Sequence, residues 1–187
     1  MFRAYRELWI ALLAIAAITA LYLLAYSQAS TMPAASSLVG HGIGILGFVL
    51  MLMTETLYSI RKRLTDARWG STAAWLKFHM VTGLVGPYMV FLHTSIRFHG
   101  LAGLAMLLTV VVVVSGLVGR YVYTAMPRVL ESAEANRPDA RQRQERLVAQ
   151  RGALATWHTI HVPLTWALFA VAFVHIVAAL YYATLPR

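Results

Sequence analysis

The sequence predicts an all-α membrane protein, a single bundle of five transmembrane helices. Three observations carry this. Of 187 residues, 59% are hydrophobic and 12% charged, a balance found in proteins that live in lipid rather than in soluble domains. The apolar residues fall into blocks long enough to cross a hydrocarbon core about 30 Å thick, which takes roughly 20 helical residues. The basic residues cluster between alternate blocks instead of spreading over a surface.

The first span covers residues 8–26. It follows Arg3 and Arg6, as a secretion signal would, and Ser27 with Ala29 mimics a cleavage site, but the apolar run exceeds a signal core and reads as a retained helix. Residues 27–37, SQASTMPAASS, are uncharged and turn-prone, which suits a short external loop. The second span, 38–58, leads into RKRLTDARWG, a basic internal turn. The third span, 75–98, meets the fourth, 101–123, at His99 and Gly100, a turn so tight that antiparallel neighbours are expected. Residues 124–153 form a polar, basic loop in which Asn136 and Pro138 suit the start of a short surface helix and Asp139 with Arg143 has helical ion-pair spacing. The fifth span, 154–185, closes the bundle.

The net charge of +9 reports orientation rather than nucleic-acid binding. With the N-terminus in the cytoplasm, fourteen of the sixteen Lys and Arg residues lie on the inner side: Arg3 and Arg6; Arg61, Lys62, Arg63, Arg68 and Lys77; Arg120, Arg128, Arg137, Arg141, Arg143, Arg146 and Arg151. Arg97 and Arg187 fall outside. This positive-inside pattern places the N-terminus inside and the C-terminus outside. The chain contains no cysteine, which excludes disulfides, a covalently attached c-type haem and iron–sulfur clusters ligated by this chain.

Two histidine pairs share one spacing, His79 with His93 in the third span and His161 with His175 in the fifth. Fourteen residues are close to four helical turns, so each pair returns to nearly the same face with a rise of roughly 21 Å. The third and fifth spans both run from inside to outside. His79 is therefore expected to face His161 near the cytoplasmic surface, and His93 to face His175 toward the outside. Four imidazoles in two layers are what two b-type haems need, one axial imidazole on each side of each iron. A lone histidine in lipid is often a packed, hydrogen-bonded residue, but ionisable groups there are costly and two equal spacings are poorly explained by packing.

The supporting residues are less specific. Gly83 and Gly86 lie between the third-span ligands, and Gly40, Gly42, Gly44 and Gly47 line the start of the second span; they give a flat macrocycle room, or serve ordinary helix packing. Haem propionates seek cationic and hydrogen-bonding groups at the membrane surface. Lys77 and Arg120 are placed for the inner haem, and Arg97 and His99 for the outer, though each also suits an interfacial anchor. His158, one turn before His161, points off the ligand face and reads as a propionate or neighbouring group, and it is the main competitor of His161 as ligand. His41 and His99 sit at external helix ends.

The stretches WLKFHMVTGLVGPYMVFLHTSIRF at 75–98 and SGLVGRYVYTAMPR at 115–128, with the four histidines, resemble small bacterial cytochrome b-type membrane proteins. The arrangement is similar to the transmembrane di-haem core of the ferric reductase and NADPH oxidase superfamily and, more loosely, to cytochrome b. The likeness spans about residues 61–182. It implies bis-histidine haem b at His79, His93, His161 and His175 and electron transfer across the membrane. The SGLVGRY stretch is a marker without an evident chemistry. Reductases of this kind carry a flavin and nicotinamide domain after the last helix; here the sequence stops at Arg187 and shows no GxGxxG motif or phosphate loop. A flavin or other donor is thus expected on a separate chain.

Three functions compete. The first is a di-haem subunit of a larger redox complex, carrying single electrons between separate partners, with the five arginines from Arg137 to Arg151 as a landing site for an acidic partner. The plainer reading of that segment is a solvated connector. The second is a quinol- or quinone-reacting oxidoreductase, with Glu55 and His158 as proton-accepting candidates. The third is a non-haem metal permease or assembly anchor, which the scarcity of deep carboxylates and the lack of cysteine weaken.

Overall fold

A computed structural model describes residues 6–29, 37–64, 70–134 and 140–184. Among these, every regular element is an α-helix: α1 (Arg6–Ala29), α2 (Leu38–Arg63), α3 (Thr72–His93), α4 (Gly100–Glu134) and α5 (Ala140–Thr184). The all-α expectation holds. Four helices are long and apolar enough to cross a membrane, over Arg6–Ser27, Val39–Arg63, Gly100–Arg120 and Leu147–Tyr182, so the chain has the character of a multi-pass membrane protein. The third helix falls short of that mark because Lys77, His79, Pro87, Tyr88 and His93 dilute its apolar run.

The helices sort their side chains in the sense lipid demands. Leu13 is 68% exposed and Phe173 66%, values that would cost stability in water, whereas Thr54, Thr82, Thr109 and Thr165 are buried. A bilayer solvates the apolar exterior and forces hydroxyls inward onto backbone carbonyls. Thr109 and Thr165, for instance, donate to the carbonyls of Ala105 (2.8 Å) and His161 (2.9 Å).

The chain forms two compact units, Met1–Phe98 and His99–Arg187. In the first, α3 packs on both α2 and α1. Ser37 caps α2 by accepting from Gly40 N at 3.0 Å, and Ser71 caps α3 by accepting from Ala74 N at 3.2 Å, each satisfying a donor the first turn leaves open. The link between these helices is tied down by Arg61, whose guanidinium donates to the carbonyls of Leu64 (2.8 Å) and Gly70 (3.1 Å).

Helices α2 and α3 run antiparallel and touch backbone to backbone. A methyl on Gly47 would lie 2.8 Å from the Gly86 carbonyl oxygen, and one on Gly86 would lie 2.9 Å from that of Gly47. Only glycine at both positions permits this approach. A turn or two further along, Thr54 donates to Thr82 at 2.6 Å, an interhelical bond of the kind that stabilises membrane helix pairs by about 0.6 kcal/mol. On the other side, Tyr88 meets Thr19 of α1 at 2.5 Å; Thr19 commits its own proton to the Ile15 carbonyl, so Tyr88 donates.

Several helix bounds differ from the sequence expectation; α2, expected to end at 58, carries Arg61–Arg63 of the basic turn as its last residues. The third helix stops at His93 instead of reaching Phe98, because Ser95 and Ile96 adopt φ values of 47° and 60°, which no α-helix tolerates; Thr94 closes the end by donating to Phe91 O. The fourth helix continues past residue 123 to Glu134, and the fifth begins at Ala140 rather than 154. Much of the expected polar loop is therefore helical, its side chains carried on backbone that continues beyond the apolar run. Asn136, Pro138 and the Asp139 end of the suggested ion pair lie outside the described residues, as do residues 30–36 of the first loop. Within the described part of that segment, Arg141 pairs with Glu145 at 3.4 Å with both side chains exposed.

In the second unit α4 packs on α5, again antiparallel: Ser115 lies against His161 and Gly119 against Trp157.

Candidate functional site

The two α3 histidines are held in the same way at two heights. His79 Nδ1 lies 3.1 Å from the Thr54 carbonyl oxygen, and His93 Nδ1 lies 2.9 Å from that of Gly40. A carbonyl only accepts, so each Nδ1 carries the proton and donates it. The two acceptors are themselves fourteen residues apart on α2, the mirror of the fourteen between the histidines on its antiparallel neighbour. Each carbonyl has a second lone pair to give beyond the helix ladder.

Fixing the proton on Nδ1 makes Nε2 the lone-pair nitrogen of both rings, the form a metal needs. Metal-binding histidines characteristically donate their other N–H to a carbonyl, carboxylate or hydroxyl, which sets the tautomer and aims the ring. The surroundings of each ring add to this. Gly44 faces His93 so closely that a methyl there would lie 2.7 Å from Cγ. At the other height the position equivalent to Gly44 is Tyr58, whose ring packs on His79 with centroids 5.0 Å apart.

On α5, His161 is 8% exposed and its Nδ1 lies 2.6 Å from Ser115 Oγ. Ser115 donates its single hydroxyl proton to the Val112 carbonyl at 2.9 Å, so the proton in the histidine contact belongs to Nδ1. The tautomer is again Nδ1–H. Trp157, one turn before, stacks on His161 with centroids 4.9 Å apart and planes 23° from parallel, and its indole N–H donates to the Ser115 carbonyl at 2.7 Å. Room for the indole comes from Gly119, where a methyl would overlap the Trp157 ring, while one on Gly116 would make only ordinary contact, 3.6 Å from His161 Cε1. His175 is half-buried, nearly four turns further along α5.

The SGLVGRY stretch thus acquires a chemistry that its sequence did not disclose. Ser115, Gly116 and Gly119 form the surface on which Trp157 and His161 are seated. The readable signal was a shared four-residue step, small residues at 115 and 119 on one helix and rings at 157 and 161 on the other.

The remaining candidates lie as follows. His158 is exposed, edge-on to Trp157 at 6.3 Å, whereas His161 is the buried ring with a fixed Nδ1 partner. Lys77, Arg97 and His99 are exposed and Arg120 is half-buried, next to Gly119. Gly83 has ordinary room, since a methyl added there would lie 3.6 Å from Thr54 Cγ2, while the close approach that Gly86 serves is that of α2 to α3. His41 is exposed, its ring centroid 6.0 Å from that of His93. Glu55 is half-buried and accepts from Ser59 at 3.3 Å. Among the described residues, no three or more His, Cys, Asp or Glu gather as a metal cluster; a haem iron asks only two imidazoles of the protein, so the ligand set does not need one.

No family model, curated protein or solved structure matches this chain.

Proposed function

We propose that this chain is a di-haem b-type cytochrome subunit that passes electrons across a bacterial inner membrane. The observation that carries the reading is that His79 and His93, fourteen residues apart on α3, each donate through Nδ1 to a carbonyl of α2, and that the buried His161 is likewise engaged through Nδ1, by Ser115. An axial ligand needs its Nδ1 proton placed on a partner so that Nε2 presents its lone pair to iron, and these contacts supply that arrangement. In this reading α3 crosses the membrane along with the four longer apolar helices, the N-terminus is cytoplasmic, the inner haem takes His79 and His161, and the outer haem takes His93 and His175. Haem bound there supplies a one-electron change at iron. The chain's own part is to hold the rings, exclude water with its apolar helices and fix the two layers roughly 21 Å apart along the helix axis. Lys77, Arg97, His99, Arg120 and His158 are the groups available to propionates, and redox partners meet the protein at its two surfaces.

A second reading keeps the same haems and adds quinol oxidation beside the inner one. It is favoured by Glu55, which Ser59 holds immediately after the residue whose carbonyl anchors His79. One experiment addresses both. Purified protein reduced with dithionite should give the α and β bands of low-spin haem b in a reduced-minus-oxidised spectrum, and the absence of haem bands would overturn the proposal. Added quinol, without partner proteins, should produce the same spectrum only under the second reading.

A further inference from the structure

We propose that Ser115 is a positioning residue that sets the reduction potential of the haem ligated by His161; this rests on the haem reading above. Of the three imidazoles with a defined Nδ1 partner, two are bound to peptide carbonyls of α2, which no substitution removes. His161 alone among those three is bound to a side chain. Its basicity toward iron is therefore the one that the sequence can adjust by a single residue.

The local geometry makes the serine an acceptor that cannot swing away. Its proton is committed to Val112 O at 2.9 Å, which fixes the hydroxyl rotor and points an oxygen lone pair at Nδ1. Its carbonyl holds the Trp157 indole at 2.7 Å, and that indole lies on the face of His161. Both oxygens of one residue thus control the same imidazole, one through Nδ1 and the other through the stacked ring that limits its rotation. Gly119 makes this possible, since a side chain there would occupy the place of Trp157.

An imidazole that donates from Nδ1 gains electron density at Nε2 and stabilises ferric over ferrous iron. Removing the acceptor weakens that push. The potential of the haem should rise.

The test is a redox titration of the purified protein, followed by difference absorption, for the wild type, Ser115→Ala and Ser115→Thr. The expected result is an upward shift in one of the two midpoints for Ser115→Ala, with the other unmoved, and a return toward wild type for Ser115→Thr, which restores a hydroxyl. Trp157→Phe, which keeps a flat ring but removes the indole donor, should move the same midpoint. Loss of one haem in Ser115→Ala with recovery in Ser115→Thr also supports the role. Two wild-type midpoints in both Ser115→Ala and Trp157→Phe overturn it while leaving the haem reading intact, and absence of haem from the wild type overturns both.

Discussion

Replacing His93 with alanine should lower the haem content of the purified protein from two per chain to one, and His175→Ala should do the same. In the proposed reading the two layers use separate ligands and separate anchors. His93 is tied to Gly40 and His79 to Thr54, fourteen residues away along α2. Losing the ring at one height leaves the acceptor, the packing and the tautomer at the other height in place. His79→Ala and His161→Ala should remove the other haem, and the surviving spectra of the two sets should differ. His158→Ala separates the competing residue from the ligand: that ring is exposed, and losing a propionate contact there should leave both irons ligated. Pyridine haemochrome counts on the purified variants decide it, and two haems retained in both His93→Ala and His175→Ala would contradict the layer assignment.

Gly44→Ala should give the same loss of the outer haem with every ligand still present. Alanine is favoured over glycine inside a helix by about 1 kcal/mol, so on propensity alone the substitution stabilises. Space decides otherwise at this position. The new methyl would lie 2.7 to 3.0 Å from three atoms of the His93 ring, and relief requires the ring to turn, which takes Nδ1 away from the Gly40 carbonyl. Overpacking of this kind costs about 1–3 kcal/mol, and here the strain falls on the ligand. Gly42→Ala is the matched control, because nothing lies within 4 Å of its added methyl. The expected outcome is a haem count near one for Gly44→Ala and near two for Gly42→Ala; equal counts would show that the His93 orientation does not depend on Gly44.

Helical class and the apolar spans were legible because lipid imposes a length and a composition that periodicity cannot disguise. The ends of α3, α4 and α5 were not. A reading based on hydrophobicity stops a helix where the lipid stops, whereas the backbone of α4 and α5 continues into residues 124–134 and 140–153; in α3 two residues in left-handed conformation end the helix inside an apolar run. The fourteen-residue spacing of the histidines was legible as a pattern. Its anchors were not, since Gly40 and Thr54 act through main-chain oxygens that every residue possesses. Gly44 was visible only as one of several glycines. The Ser115–Trp157–His161 arrangement needs two helices in register, and nothing in either helix taken alone reveals it.

If these imidazoles are held in the Nδ1–H form in order to ligate iron, the protein must carry porphyrin in a fixed ratio. The most direct measurement is the number of haem b groups per chain in the purified full-length protein, by pyridine haemochrome against quantitative amino-acid analysis. Two haems per chain is the expected result. A protein that binds no haem, or that carries stoichiometric zinc or copper without iron, would contradict it.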